Sequence, residues 1–355
     1  MKKMKCMVLC ILGFVLISYV ITFDTIPTNV FAQNQSGEED FFFSSLHHTG
    51  SGREYWYSSK NNGSEKITGV PYNKIELCNR CHLNSCDHCH KAEADGKLAY
   101  STNHAKNQEL CLSCHTRVNT NIIVNLDLNE PDVHFAKGMK CFNCHKGEDI
   151  HGDGTVNNTM FDKGVIDTKC EDCHKKINKS ISHSIHGEKL DCAVCHTRRV
   201  VTCYNCHLEA LINNNEISIY NEKITDWVFL INRGEKISIG TFQSTDYKGK
   251  THVAIAPNYS HSIMKEGREC NQCHGTEIVS EMNKGKIDLI SYENGEFIPL
   301  KGVIPFIEDK FNYLFVEQKN EEWVPMENLS PPIIQITPYA QPLSQEQFNK
   351  LLEKR

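Results

Sequence analysis

Residues 192–207 read CAVCHTRRVVTCYNCH, so the five-residue pattern Cys-x-x-Cys-His occurs twice within this short stretch. The first copy starts at Cys192 and the second at Cys203. Two thiols three positions apart lie on one face of a helical turn, and the histidine follows them directly. Each copy therefore brings two thiols and one imidazole together in a single short segment.

The same pattern recurs along most of the chain. It occurs eight times, and the eight copies use all the cysteines except Cys6 and Cys10 near the N-terminus. The copies consist of Cys78, Cys81 and His82; Cys86, Cys89 and His90; Cys111, Cys114 and His115; Cys141, Cys144 and His145; Cys170, Cys173 and His174; Cys192, Cys195 and His196; Cys203, Cys206 and His207; and Cys270, Cys273 and His274.

Cys-x-x-Cys-His is the sequence signature of c-type haem attachment. The two thiols form thioethers with the vinyl groups of one haem, and the histidine ligates the iron. Disulfide scaffolds, zinc ribbons and thiol–disulfide redox sites also use cysteine pairs, but none of them requires a histidine after every pair. The sequence therefore predicts eight covalently bound c-type haems, with the motif histidines as proximal iron ligands.

Each haem iron has a second axial position, which a protein fills with histidine, methionine or lysine or leaves open. His88 lies inside a motif and is set aside, which leaves nine histidines outside the motifs. Five of the nine lie six to nine residues before a motif, where a short helix or loop can present them to a neighbouring haem. The candidate distal ligands are His47, His48, His104, His134, His151, His183, His186, His252 and His261.

Nine candidates for eight irons leave two hypotheses open. If every iron has two histidines, no iron is free for a substrate, and the protein is an electron carrier. If one iron lacks its second histidine, that haem can bind a small molecule. The histidine count is compatible with both hypotheses, and no catalytic residue is assigned from the sequence.

The N-terminus predicts export. Lys2, Lys3 and Lys5 precede an apolar stretch from about residue 6 to residue 23, and Val30-Phe-Ala32 is typical of a cleavage site. The apolar stretch is also just long enough to span a bilayer. Residues 1–32 are therefore expected to be a signal peptide or an N-terminal anchor, and either places the rest of the chain in the periplasm or outside the cell.

The net charge of the chain is −6 at pH 7, and removal of residues 1–32 takes away more lysines than acidic residues. An acidic surface is unsuited to nucleic acid and to an anionic membrane surface. The acidic balance fits a basic redox partner or a small substrate, and the expected partners are redox proteins, such as quinol-oxidising or other cytochrome subunits. A membrane tether through the N-terminal segment and an oligomeric state remain open.

The motif positions divide the chain into regions. Residues 33–77 form an aromatic-rich N-terminal arm, and residues 78–207 hold seven motifs, which leaves room only for short helices and loops. The haems themselves are therefore expected to form the core of that region. Residues 208–260 predict an antiparallel β meander with strands at 226–232, 236–242 and 251–255, because apolar residues run continuously or alternate there.

The remaining residues comprise the last motif, at 261–282, and a haem-free C-terminal region at 283–355. Asn294-Gly295 predicts a hairpin turn, and Ser344 with Gln347 is typical of a capping box at the start of a final helix. The expected fold class is a multihaem cytochrome: mostly short helices and loops around a haem array, with a small antiparallel β meander and a strand-rich C-terminal tail.

Through these motifs, residues 78–207 and 261–274 resemble the octahaem and wider multihaem c-type cytochromes of respiratory bacteria. That superfamily includes tetrathionate reductases, nitrite reductases, hydroxylamine oxidoreductases and pure electron carriers. The chain lacks the Cys-x-x-Cys-Lys motif known from pentahaem nitrite reductases. Its strand-rich, proline-containing tail also differs from the helical C-terminal region of hydroxylamine oxidoreductases.

These departures favour an octahaem cytochrome that transfers electrons between respiratory partners outside the cytoplasmic membrane. The alternative is a respiratory oxidoreductase that acts on nitrite, hydroxylamine or tetrathionate at one open haem. A subunit of an extracellular cytochrome filament is the third hypothesis.

Overall fold

The computed structural model describes residues 38–81, 83–94, 96–220 and 226–355. The expected signal peptide or anchor at residues 1–32 lies outside the described residues. Within the described ranges, no helix is long and apolar enough to cross a membrane. Residues 37–355 belong to one compact unit.

The helices are short because capping residues follow one another closely. Gly50, for example, ends one helix in the left-handed conformation (φ 66°), and its amide donates a hydrogen bond to the carbonyl of Leu46. The α-helices of the described ranges, α1 to α16, are Glu38–Ser44, Leu46–Thr49, Ser51–Tyr57, Glu65–Thr68, Glu76–Asn79, Asp87–His90, Thr102–Ala105, Gln108–Cys114, Thr116–Asp127, Gly147–His151, Cys170–Cys173, Ile181–His186, Cys192–His196, Leu208–Asn214, Glu277–Lys284 and Gln345–Leu352.

Short 3-10 helices occur between these elements, and two of them carry haem motifs. They are Ser59–Asn61, Tyr72–Lys74, Phe135–Lys137, Cys141–Asn143, Gly187–Lys189 and Cys270–Gln272.

The strands of the described ranges lie mostly after residue 200. Numbered β1 to β14, they are Lys91–Ala94, Lys97–Tyr100, Cys203–His207, Trp227–Arg233, Lys236–Tyr247, Lys250–Pro257, Ile287–Asp288, Ile290–Glu293, Glu296–Pro299, Gly302–Pro305, Phe311–Asn312, Val316–Lys319, Glu322–Pro325 and Ile333–Gln335.

The largest sheet has the strand order β10-β4-β5-β6-β14, and β3 also pairs with β5. The β4–β5 and β5–β6 pairs are antiparallel, and all three strands overlap those predicted from the apolar pattern. The strands β10 and β14 add to the two edges in parallel orientation. The expected insertion and the expected tail thus build one sheet together, which their local sequence patterns do not indicate.

Two features of the C-terminal region agree with their sequence signals. Asn294 and Gly295 both have positive φ (55° and 85°) in the turn between β8 and β9. Ser344 and Gln347 form a reciprocal capping box at the start of α16, in which the Ser344 hydroxyl accepts a hydrogen bond from the Gln347 amide. The predicted hairpin and final helix are confirmed.

The apolar core lies with the large sheet. Phe242 on β5 is fully buried, and its ring lies 5.5 Å from that of Trp227 and 5.8 Å from that of Phe229. Between residues 78 and 190, by contrast, the buried apolar side chains among the described residues are only Val124 and Phe161. That segment buries too little apolar surface to offset the entropy of ordering it. The haem array that is expected to replace an apolar core remains a prediction.

Ile239 and Ile298 give a matched pair for testing where the apolar core lies. Ile239 on β5 is fully buried, whereas Ile298 on β9 is 47% exposed. Ile239→Ala should lower the free energy of unfolding by about 2–5 kcal/mol because it leaves a cavity. Ile298→Ala should lower it by less than about 1 kcal/mol. Denaturant unfolding followed by circular dichroism measures both values, and equal losses would contradict this assignment of the core.

Candidate haem sites

Six motif histidines each face a histidine from outside the motifs. The ring centroids of these pairs are 5.9–6.4 Å apart. The pairs are His115 with His47, His90 with His151, His174 with His134, His145 with His261, His196 with His183, and His274 with His186.

The separation within these pairs fits one metal ion between two imidazoles. Two rings that bind a metal from opposite sides, each at about 2.0 Å, have centroids about 6.3 Å apart. Ordinary aromatic contacts also span about 4.5–7 Å, so the distance alone does not decide. The composition of the pairs favours a shared metal over an ordinary aromatic contact, because all six pairs combine one motif histidine with one histidine outside the motifs. The residues present therefore fit a haem iron with two histidine ligands at six motifs.

In six of the twelve paired histidines, Nδ1 lies within hydrogen-bond distance of a backbone carbonyl. Metal-binding histidines commonly donate their other ring N–H in this way, which fixes the ring and leaves Nε2 for the metal. The Nδ1–carbonyl distances are 3.1 Å for His47 to Ile150, 2.7 Å for His183 to Asn178, 3.0 Å for His186 to Ser182, 3.3 Å for His196 to Met264, 3.2 Å for His261 to Tyr259 and 2.8 Å for His274 to Lys350.

One short helix, α12, supplies two of these candidate ligands. Ser180 caps α12, because its hydroxyl accepts a hydrogen bond from the His183 amide. His183 and His186 are three positions apart, so they lie on neighbouring parts of one helix face. The two rings serve different motifs, since one faces His196 and the other faces His274.

Asp132 positions two further candidates. Its carboxylate accepts a hydrogen bond from the His134 amide at 2.8 Å and another from the Ile263 amide at 2.6 Å. The second bond fixes the segment that carries His261. A single buried carboxylate therefore holds together two segments of the chain that each supply a candidate ligand.

Burial favours the neutral form of the imidazoles, which is the form that binds a metal. Burial is the main reason why the pKa of His47 is lowered, and the neighbouring His115 lowers it further. Burial also lowers the pKa of His261, and His145 adds to the effect. Both rings are therefore ready to accept a metal near neutral pH.

The thiols of neighbouring motifs lie close together. The ligand atoms of Cys170, Glu171 and Cys192 lie within 4.8 Å of one another. The hydrogen bond with Cys170 lowers the pKa of Cys192 to about 7. A hydrogen bond likewise joins Cys111 to Cys141 and lowers the pKa of Cys141 to about 7. These contacts place the attachment points of successive motifs side by side.

The motif at 203–207 differs from the others because it forms the strand β3 instead of a helical turn. Cys203 pairs with Gln243 and Cys206 with Thr245, whereas His207 pairs with Asp246. An irregularity between the two cysteines, with Asn205 at φ 53°, puts both thiols on one face of the sheet. Consecutive strand residues point to opposite faces, so the His207 ring lies on the other face.

Among the described residues, the His207 ring contacts Asp246, Asn205 and Trp323, and none of these is a histidine. Its Nδ1 lies 2.7 Å from the Asp246 carboxylate, and its Nε2 lies 3.1 Å from the Asn205 amide nitrogen. The Trp323 ring stacks on it at a centroid distance of 5.1 Å. The residues here therefore do not fit a haem ligated by His207 as the six paired motifs do.

Two side chains that the sequence did not single out as site residues lie beside the thiols of this motif. Arg117 Nη2 is 3.2 Å from Cys203 Sγ, and no carboxylate of the described residues forms an ion pair with Arg117. Tyr57 lies next to Cys203 and Cys206, and burial raises the pKa of its hydroxyl. Arg117 lies far from Cys203 in the sequence, so no local motif could reveal the contact. Tyr57 belongs to an aromatic cluster that suggests only packing.

Three candidate ligands have no described histidine partner. His104 lies on α7, where its amide is capped by the Ser101 hydroxyl. His48 Nδ1 lies 2.9 Å from the Leu83 carbonyl. The ring of His252 is buried, with Nε2 2.9 Å from the Asn62 carbonyl, and burial lowers its pKa to about 4. The first motif's His82 lies outside the described residues.

Part of the chain is similar to the dissimilatory sulfite reductase MccA of Wolinella succinogenes. The identity is 28% over 87 residues, which cover 20% of this chain and 12% of that protein. No protein-family model and no solved structure matches the chain. The similarity supports only a loose link to the multihaem cytochromes.

His261 and His252 give a second matched pair for a test. His261→Ala should remove one axial ligand from the iron that His145 binds, so one low-spin haem becomes high-spin. His252→Ala should leave the haem spectrum unchanged, because its Nε2 faces a backbone carbonyl. Low-temperature electron paramagnetic resonance measures the high-spin ferric signal. A new signal in His252→Ala but not in His261→Ala would reverse the assignment.

Proposed function

We propose that the protein is a multihaem c-type cytochrome that transfers electrons between respiratory partners outside the cytoplasmic membrane. The observation that carries the proposal is the set of six pairs, each made of one motif histidine and one histidine outside the motifs. An iron with two histidine ligands has no position for a substrate, so such haems serve electron transfer.

The chain's own residues support this function in two ways. The carbonyl groups at Nδ1 fix the orientation of six of the twelve paired rings and raise their basicity as ligands, which influences the redox potential. The close contacts between thiols of successive motifs, such as Cys170 with Cys192, bring neighbouring attachment points together. When bound, each haem supplies a one-electron iron couple, and short distances between haems favour rapid transfer along the array.

The haem count and the location are parts of the same proposal. Eight motifs predict eight haems; six of the motifs have described histidine pairs, whereas the residues around His207 do not fit a haem in the same way. The lysine-flanked apolar N-terminus predicts export, and the proposed location outside the cytoplasm rests on it. Redox proteins are the proposed partners.

Low-temperature electron paramagnetic resonance and mass spectrometry of the intact protein test this proposal together. The mass should show covalent haem on at least the six paired motifs, and most of the ferric irons should be low-spin. Peptide mapping assigns each haem to its motif. An array of mostly high-spin irons, or a chain without covalent haem, would contradict the proposed function.

A second candidate function is reduction of a sulfur oxyanion bound near the motif 203–207, with electrons supplied by the haems of the paired motifs. Two observations favour it: Arg117 and Tyr57 lie beside the thiols of this motif, and part of the chain is similar to a sulfite reductase. Arg117 would attract an oxyanion here, because its guanidinium has no carboxylate partner among the described residues. Tyr57 would donate a hydrogen bond, because burial keeps its hydroxyl protonated.

Sulfite-dependent oxidation of the dithionite-free, reduced protein tests this second function. Arg117→Gln should lower the rate at least about tenfold, because one charged contact to an oxyanion is worth roughly 1.5–3 kcal/mol. Lys284→Gln is the control, since Lys284 is exposed on α15, outside the motifs, and pairs with Glu281. Stopped-flow absorbance at the Soret band gives the rates. If sulfite does not oxidise the reduced wild-type protein, the second function is excluded, whereas the first is unaffected.

A further inference from the structure

The segment that follows the motif at Cys170–His174 is exposed along its length. Every residue from 171 to 180 is exposed, and so are most of the residues of α12 that come next. Three isoleucines share this exposure: Ile177 is 55% exposed, Ile181 78% and Ile185 49%. We call the surface formed by Lys175, Lys176, Ile177, Lys179, Ile181 and Ile185 the lysine–isoleucine surface.

The two isoleucines of α12 point away from the candidate haem sites that this helix serves. Ile181 and Ile185 are four positions apart, so they share one helix face. His183 and His186 lie on the other side of the helix, where their rings face His196 and His274. Haems bound between these histidines would therefore leave both isoleucines in solvent. Clustered exposed apolar side chains of this kind mark interaction sites.

The charge of the lysine–isoleucine surface is opposite to that of the chain. No acidic residue occurs between Asp172 and Glu188, whereas the net charge of the whole chain is −6. Among the described residues, Lys175, Lys176 and Lys179 form no ion pair, although many other exposed lysines do. Three positive charges without an ion pair among the described residues therefore lie in the same short segment as the three exposed isoleucines.

We propose that an acidic electron-transfer protein docks on the lysine–isoleucine surface and exchanges electrons there with the haem array. Complementary charge steers such a partner and orients it, and the isoleucines supply the dry centre of the contact. This inference rests on the proposed electron-transfer function. In the step itself, one electron passes from the reduced partner to a ferric haem iron, and no bond or proton need move.

The position of the surface supports this role. It lies between the motif at Cys170–His174 and the two histidines of α12, so it adjoins three of the candidate haem sites. Its side chains are exposed, whereas His47 and His261 are half-buried. An external partner would thus approach these haems more closely than those of His47 and His261.

The test uses the full holoprotein and a small acidic flavodoxin as the reducing probe. The variant is Lys175→Glu/Lys176→Glu/Lys179→Glu, and the matched control is Lys250→Glu/Lys286→Glu/Lys301→Glu, whose lysines are exposed elsewhere. Stopped-flow absorbance gives the second-order rate constant of haem reduction as a function of ionic strength. The wild-type and control constants should fall steeply as salt increases, whereas the variant's constant should be at least about tenfold lower at low salt and nearly independent of salt.

A small uncharged reductant separates this inference from the proposed function. It should reduce the wild type, the variant and the control at equal rates, which shows that the haem array is intact in each. If the array is reduced but flavodoxin gives the same rate constant and salt dependence for all three proteins, the docking site is wrong and the electron-transfer function stands. If light scattering shows that the wild type is a dimer and only the variant is a monomer, the surface is instead an interface between two copies.

Discussion

The centroid distance of about 6 Å between the ring of a motif histidine and that of a histidine from another segment is the constraint on which the rest of this structure depends. Residues 78–190 bury almost no apolar side chains, so an ordinary core does not hold them. What brings their short helices into register is the meeting of imidazoles from separate segments, such as His145 with His261. Backbone carbonyls and Asp132 then fix the rings from behind. Under the proposed function, ligand geometry sets the local structure of this half, whereas apolar burial sets the large sheet.

Much of the candidate site was predictable from the sequence, because ligand identity is a local property. The motifs identify one histidine of each pair. A position six to nine residues before a motif predicts four of the partners, namely His134, His183, His186 and His261. The partner of each histidine is not local. His183 and His186 precede the same motif, yet one faces His196 and the other His274, far along the chain. Only the path of the backbone in three dimensions decides that choice.

The motif at 203–207 shows why a sequence signature does not settle geometry. The signature assumes a helical turn, but Tyr204 is buried among the aromatic side chains of the sheet and draws this copy into strand β3. Its histidine then turns toward Asp246, away from its own cysteines. The same tertiary pairing explains the tail: β10 and β14 have unremarkable local patterns, and their places at the sheet edges follow from the exposed backbone of β4 and β6.

The scarcity of buried apolar side chains between residues 78 and 190 has a consequence for how the protein is made. If haems replace the core there, this stretch has little to fold around before they are attached. Newly made chains would then remain open to proteases until the cofactors arrive, while the C-terminal sheet closes on its own apolar side chains. The supply of haem would accordingly limit the cellular level of the protein, even where its synthesis is fast.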